Sequence, residues 1–320
     1  TRRSSDLNPA RQGVAVTTDL PIGVVINPTS GKGRGARVAA QVWQALAAQR
    51  TIDLSGANYE QALGNAREAV ARGAIRALFV VGGDGMAHLG VNACGHTSVP
   101  LGIIAAGTGN DSATVLGLPT EDIAAAVAVA VSQIDSPRTV DLLEGEARDS
   151  EGTPNHKFLS FGTVSAGFDA LVNARANRMT WPKGPLRYQV AMVLELMKFR
   201  GIKYTAVIDG VERKIEAMLC AVANAPAFGG GMLIAPHAKV DDGELDLFVV
   251  HRIPRRTLLR IFPKVYTGGH ITHPAVEFVP AQQVSLDAGN LPAYSDGEFV
   301  GLSPVQVRIA RGALKVCARP

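Results

Sequence analysis

Three cysteines in 320 residues, Cys94, Cys220 and Cys317, lie far apart and show neither Cys-x-x-Cys nor Cys/His spacing. That excludes a disulfide framework and a zinc cage, and free thiols of a reducing compartment are expected. Aromatic residues make up only 5% of the chain, and the net charge is only +4. Basic residues are scattered apart from Arg2-Arg3 and "HRIPRR" at 251–256. Without a stacking platform or a broad basic tract, nucleic acid is not an expected partner. The longest unbroken apolar run, "IAAAVAVAV" at 123–131, falls short of the roughly 18 residues a spanning helix needs. Residues 1–20 are polar, lack the apolar centre of a signal peptide and read as a poorly ordered tail. The expectation is a soluble cytoplasmic protein whose membrane contact, if any, is peripheral.

What the chain does have is 47% apolar residues, enough at this length for two domains. One arrangement recurs three times: a short apolar strand, a Gly-rich turn and a helical pattern. "IGVVIN" precedes "PTSGKGRG" and a helix with Val38, Val42 and Leu46 on one face; "ALFVV" precedes "GGDG"; "PLGIIAA" precedes "GTGND". Alternating strands and helices predict a parallel sheet covered on both faces. "LPTEDIAAAVAVAVSQID" adds a helix for which Thr120 is the expected cap. From about residue 139 strand-like runs dominate, including a hairpin at Asp209-Gly210. Helices are expected at 184–200 and 254–268, the latter disturbed by Pro263. The domains expected are an α/β unit at 21–138 and a mostly antiparallel β unit at 139–302. Residues 303–320 are candidates to return to the first.

Three Gly-rich turns after parallel strands emerge at one sheet edge, where glycine lets backbone approach a phosphate and helix starts favour anions. "NPTSGKGRG" does not satisfy GxxxxGK[ST], so a Walker-type site is not supported. Asp84 in "GGDG" reads either as a turn residue or as the acid that holds the cation of a nucleoside triphosphate. Glu298 in "LPAYSDGEFVG" reads equally as part of a surface hairpin. "VAMVLELMKF" is core, or an apolar wall for an acyl chain. His237, His270 and His273 are too isolated for a transition-metal site.

The series "NPTSGKG", "VVGGDGM", "IIAAGTGND", "FGTVSAGFDA", "NAPAFGGGMLIAPHAKVDDGELDLFVV" and "SDGE", in this order, resembles the diacylglycerol kinase catalytic-domain family of lipid kinases, related to sphingosine and ceramide kinases. The likeness runs from about Ile22 to the C-terminus. It implies a three-layer α/β domain of the phosphofructokinase and NAD-kinase type, followed by a β-sandwich, with the active site in the cleft between them. It implies ATP and Mg2+ as cofactors, and a lipid hydroxyl at a membrane surface as acceptor, diacylglycerol first. A homodimer is a further expectation.

By position, the resemblance implies an ATP site at Asn27, Pro28, Thr29, Ser30, Gly31 and Lys32, at Gly82, Gly83, Asp84, Gly85, Met86, Ala87, His88 and Leu89, and at Thr108. It makes Glu298 the general base. Asp84, Asp111 and Asp141 would form the network around the catalytic Mg2+. Asp242, with the carbonyls of Lys239 and Glu244, would hold a structural one. The chain departs from the commoner "GGDGTxNE" at Met86 and His88, which removes a threonine hydroxyl and an acid but leaves the backbone cradle; "AAGTGND" lacks the usual proline. A sphingosine- or ceramide-type substrate, an NAD-kinase-like kinase of a soluble alcohol, and a non-catalytic lipid or nucleotide binder are the alternatives.

Overall fold

The computed structural model describes residues 19–27, 35–149, 153–182, 185–198 and 201–319. The first half is β1 (Ile22–Ile26), α1 (Gly35–Ala45), β2 (Thr51–Asp53), α2 (Tyr59–Ala71), β3 (Ala77–Gly82), α3 (Asp84–Cys94), β4 (Leu101–Ala105), α4 (Asp111–Val115) and α5 (Ile123–Ser132). β2, β1, β3 and β4 pair in that order, all parallel. Successive residues of β3 alternate between two cores: Leu78 and Val80 pack under α2 and α3, Phe79 and Val81 under α1 and α5. A strand buried on both faces carries no polar side, which is why "ALFVV" is an unbroken apolar run. α5 is capped by Asp122, whose Oδ1 accepts the Ala125 N–H at 3.0 Å, not by Thr120. The helix starts two residues later than its acidic lead-in suggests because Asp122 already adopts the extended cap conformation.

The second half is β5 (Arg138–Arg148), β6 (Pro154–Ser160), β7 (Thr163–Ala166), α6 (Phe168–Arg178), α7 (Pro185–Lys198), β8 (Ile202–Ile208), β9 (Val211–Ala223), β10 (Leu245–His251), α8 (Arg255–Ile261), two 3-10 turns at 262–267 and 269–272, β11 (Val276–Ala281), β12 (Gln283–Asp287), β13 (Pro292–Ser295) and β14 (Glu298–Val316). Its strands enclose a sandwich core that includes Leu143, Tyr204, Val222, Leu247 and Val305. On β9 and β10 the opposite face, with Ala221 and Phe248, packs under α6, α7 and α8. α6 carries no strong apolar stripe and was not expected. Pro263 ends α8 as a 3-10 turn, as its missing N–H requires. β14 runs from the sandwich back to the first sheet, where Val316 pairs parallel to Leu101. Cys94, Cys220 and Cys317 are all buried and free.

Candidate active site

The chain leaves β3 at Gly82 and enters α3 with Asp84 as its first helical residue. An acid in a first turn is favoured by the helix dipole. The next turn is closed by Asn110, which sits at φ 59° and accepts the Gly107 N–H on Oδ1 at 3.0 Å. The two turns are joined: Ser112 N–H donates to Asp84 Oδ1 at 3.2 Å and Ala106 N–H to Gly82 O at 2.8 Å. A Cβ on Gly109 would lie 2.6 Å from Asp84 Oδ2, so this turn needs glycine to pass the carboxylate. Burial, and then the neighbouring Asp111, push the Asp84 carboxyl above its ordinary value against the pull of the Ser112 and Asn110 amides.

Glu298 arrives from the other domain. Asp296 (φ 49°) and Gly297 (φ 88°) form a two-residue hairpin turn with Ser295 opposite Glu298, and the turn overhangs the start of α3. A Cβ on Gly85 would lie 2.9 Å from Glu298 Oε1. The two acids therefore approach the first turn of α3 from opposite domains. Tyr59 and Tyr294 flank Glu298; burial first, then its charge, raises both phenols.

Asp296 anchors that turn. Its Oδ2 accepts the Phe161 N–H at 2.8 Å, and its Oδ1 accepts those of Gly162 and Thr163 at 2.9 Å each. His88 Nδ1 faces Oδ2 at 3.6 Å. Four residues along α3, Asn92 Oδ1 accepts the Leu159 N–H at 3.0 Å, which fixes its amide so that Nδ2 points at Leu159 O (2.9 Å) and His88 Nε2 (3.2 Å). Nδ2 also reaches the His88 carbonyl at 3.0 Å; in the tautomer that lets Nε2 accept from it, the imidazole hydrogen sits on Nδ1, toward Asp296. One helix thus carries Asp84 at its tip and two residues that lock the sandwich beside it.

Asp111 spans the cleft differently. Its two carboxylate oxygens accept the Gly230 and Gly231 N–H groups, each at 2.7 Å. The cleft between the domains has a volume of about 460 Å3, and Asp84, Thr108, Asp111, Phe161, Gly230 and Asp296 are among its walls.

Residues 21–144 match the family described as "Diacylglycerol kinase catalytic domain", and residues 162–318 match "YegS C-terminal NAD kinase beta sandwich-like domain". A diacylglycerol kinase of Mycobacterium tuberculosis (strain CDC 1551 / Oshkosh) is 36% identical over 294 residues, 91% of this chain and 92% of that protein. The chain belongs to the diacylglycerol kinase family. It is a lipid kinase that uses ATP. A crystal structure of a diacylglycerol kinase from Bacillus anthracis str. Sterne, 20% identical, matches its fold with a TM-score of 0.69 over 94% of this chain and 97% of that one. Yeast NADH kinase, complexed with NADH, matches at 0.50 over 93% of this chain and 82% of that one, with 11% identity.

Within this diacylglycerol kinase family member, the expected site residues fall into three groups. Asp84, Thr108 and Asp111 line the cleft, and Glu298 follows the wall residue Gly297 at its edge, its carboxylate against Gly85. Asn27 ends β1, its N–H donating to Val81 O at 3.1 Å, while Pro28, Thr29, Ser30, Gly31 and Lys32 lie outside the described residues. Met86, Ala87, His88 and Leu89 have buried side chains, and the Met86 and Ala87 N–H groups already bond Gly83 O at 2.9 and 3.2 Å. Helix formation thus turns these four positions inward, and Asp84 at the helix tip is what faces the cleft.

Asp141 is not in the cleft wall. It is buried at the junction of the domains, one oxygen accepting the Gly243 N–H at 2.7 Å and the other the Gly312 N–H at 2.6 Å. Asp111 is held by two backbone amides in the same way, and what separates the two acids is that Asp111 lines the cleft and Asp141 does not. Lys239, Asp242 and Glu244 form an exposed turn outside the cleft, in which Asp242 Oδ1 accepts the Glu244 N–H at 3.1 Å. Among the described residues no buried unpartnered side-chain atom belongs to that turn. Sequence reasoning missed the work of Asp296, Asn92 and the glycines at 230–231. "SDGE" and "GGG" were visible, but which backbone amides they meet is set by distant loops.

Proposed function

We propose that the chain transfers the γ-phosphate of ATP to the free hydroxyl of diacylglycerol, giving phosphatidic acid, with Glu298 as general base. The observation that supports a lipid acceptor is an apolar cavity of about 80 Å3 between β9, β10 and the covering helices. Thr163 lines it, and Phe228 lines both this cavity and the catalytic cleft. Phe168, Met192, Met218, Met232 and Phe248 form much of the wall, and "VAMVLELMKF" contributes through Met192. Methionine is unbranched and adaptable, so this wall can yield to an entering chain.

In this mechanism Glu298 takes the proton of the lipid hydroxyl as its oxygen bonds to the γ-phosphorus and the bond to the bridging oxygen of ADP breaks. Asp84 and Asp111 fit a magnesium site: both carboxylates crowd Gly109, a Cβ there lying 2.6 Å from Asp84 Oδ2 and 3.9 Å from Asp111 Oδ2, and burial first, then Asp111, raises Asp84, a pairing of acids whose charge a hard dication would balance. Among the described residues no group of three or more His, Cys, Asp or Glu could hold a metal alone, so phosphate oxygens and water would complete the shell. The cation's chemistry there is to balance charge on the transferring phosphate. Asp111 would exchange its Gly230 and Gly231 partners for that shell.

Peripheral contact with a membrane belongs to the proposal, since the substrate resides in a bilayer. Among the described residues no helix is long and apolar enough to cross one. The test is transfer of labelled phosphate from ATP to a panel of diacylglycerol, sphingosine, ceramide and NAD. Label in phosphatidic acid is expected; label in NAD alone would reject the reading. Glu298→Gln and Asp84→Asn should each lower turnover by about a thousandfold with unchanged melting temperature.

A further inference from the structure

The stretch from Arg252 to Thr272 contains five basic residues, Arg252, Arg255, Arg256, Arg260 and Lys264, and no acid. In a chain with 32 basic and 28 acidic residues overall, that imbalance is local. Arg252 is paired with Glu216 at 2.7 Å. Arg256, Arg260 and Lys264 are exposed and make no ion pair among the described residues. Apolar side chains are exposed between them: Leu259 at 39%, Tyr266 at 36% and Ile271 at 43%. The helical period separates two faces. Leu258, Ile261, Phe262 and Val265 point down and roof the apolar cavity, while Arg256, Leu259, Arg260 and Lys264 point out.

A basic helix face in water is ordinarily just solvated. Here it also holds apolar residues at a cost in exposure, and it covers the cavity assigned to the lipid tail. Water gives no reason for all three features together; the surface of an anionic bilayer does. Cationic side chains meet the headgroup phosphates, and the interspersed apolar side chains enter the boundary with the acyl chains. We propose that α8 and the two 3-10 turns after it form the membrane-docking face of this kinase, lying flat on an anionic bilayer so that the cavity beneath opens to the acyl layer. The inference rests on the lipid-kinase reading of that cavity and adds the surface through which substrate is collected.

The full chain would be co-sedimented with vesicles of phosphatidylcholine alone and of equal parts phosphatidylcholine and phosphatidylglycerol. Binding to the anionic vesicles, weakened by salt, is expected. The triple variant Arg256→Glu, Arg260→Glu, Lys264→Glu should bind them about a hundredfold more weakly, and Leu259→Ser with Ile271→Ser should also bind more weakly. Both should phosphorylate a short-chain diacylglycerol dispersed in detergent at the wild-type rate. Wild-type binding by both variants, or wild-type chain that ignores anionic vesicles, would overturn the docking face. So would loss of transfer to the dispersed lipid in folded variants, which would make the patch part of the substrate site. Absence of transfer to that lipid by the wild type would instead reject the substrate reading, and the vesicle result would stand apart from it.

Discussion

Asp209-Gly210 and Asp296-Gly297 are the same piece of local structure. In each, aspartate and glycine take positive φ (46° and 86°; 49° and 88°) and close a two-residue hairpin, with Ile208 opposite Val211 in one and Ser295 opposite Glu298 in the other. Their fates differ. Asp209 is exposed, and its carboxylate accepts the Gln282 and Gln283 N–H groups at 3.0 and 2.9 Å, tying one surface turn to the next strand. Asp296 has a side chain only 10% exposed, takes three amides of the turn at 161–163, faces His88, and aims the following glutamate at α3. The turn chemistry makes the hairpin; where the flanking strands deliver it makes the site.

The sharpest way to break this comparison is to remove both carboxylates. Asp296→Ala leaves three amides without their acceptor and should cost about 3 kcal/mol or more in denaturant unfolding, with turnover down at least about a hundredfold. If it behaves like Asp209→Ala, the two turns are equivalent and the site has been misassigned. A smaller effect is expected at the group that faces Asp296. His88→Gln keeps a partner for Asn92 but loses the hydrogen on the Nδ1 side, and His88→Asn does the reverse. Steady-state kinetics should show kcat down about tenfold for Gln and within about threefold of wild type for Asn, with KM for ATP unchanged in both.

Acid unfolding sharpens the contrast further. Burial would raise the Asp296 carboxyl, but the His88 contact and the Thr163 and Phe161 amides outweigh it and hold the group below its ordinary value. As pH falls, the unfolded chain then takes up the proton first. The stabilisation is complete above the unfolded value of about 4 and is lost as pH drops through the lower folded value. Asp296→Asn should flatten that part of the stability profile. The smallest expected effect is that of Asp209→Ala, about 1 kcal/mol of stability, with turnover unchanged.

Much of the fold was legible because its signals are local. "ALFVV" is apolar at every position because both faces of β3 are covered, and strand-turn-helix order implies parallel pairing. α6 escaped because its residues show no strong apolar stripe, and the α5 cap was misplaced because Thr120 and Asp122 are both good capping residues. Of the candidate site, Asp84 and Glu298 were identifiable through motif resemblance. Asp141, drawn from the same resemblance, is occupied by the Gly243 and Gly312 amides. No local pattern distinguishes an acid that meets solvent from one that meets two distant N–H groups.

By itself, then, the sequence determined the elements, their turns and the family: φ preferences and apolar periodicity act within a few residues, and ordered motifs need no coordinates. Only the tertiary structure decided that His88 lies against Asp296, that Asp111 holds Gly230 and Gly231, and that Glu298 overhangs Gly85. Each of these joins residues more than a hundred positions apart, and such contacts depend on how two domains pack, which no local preference encodes.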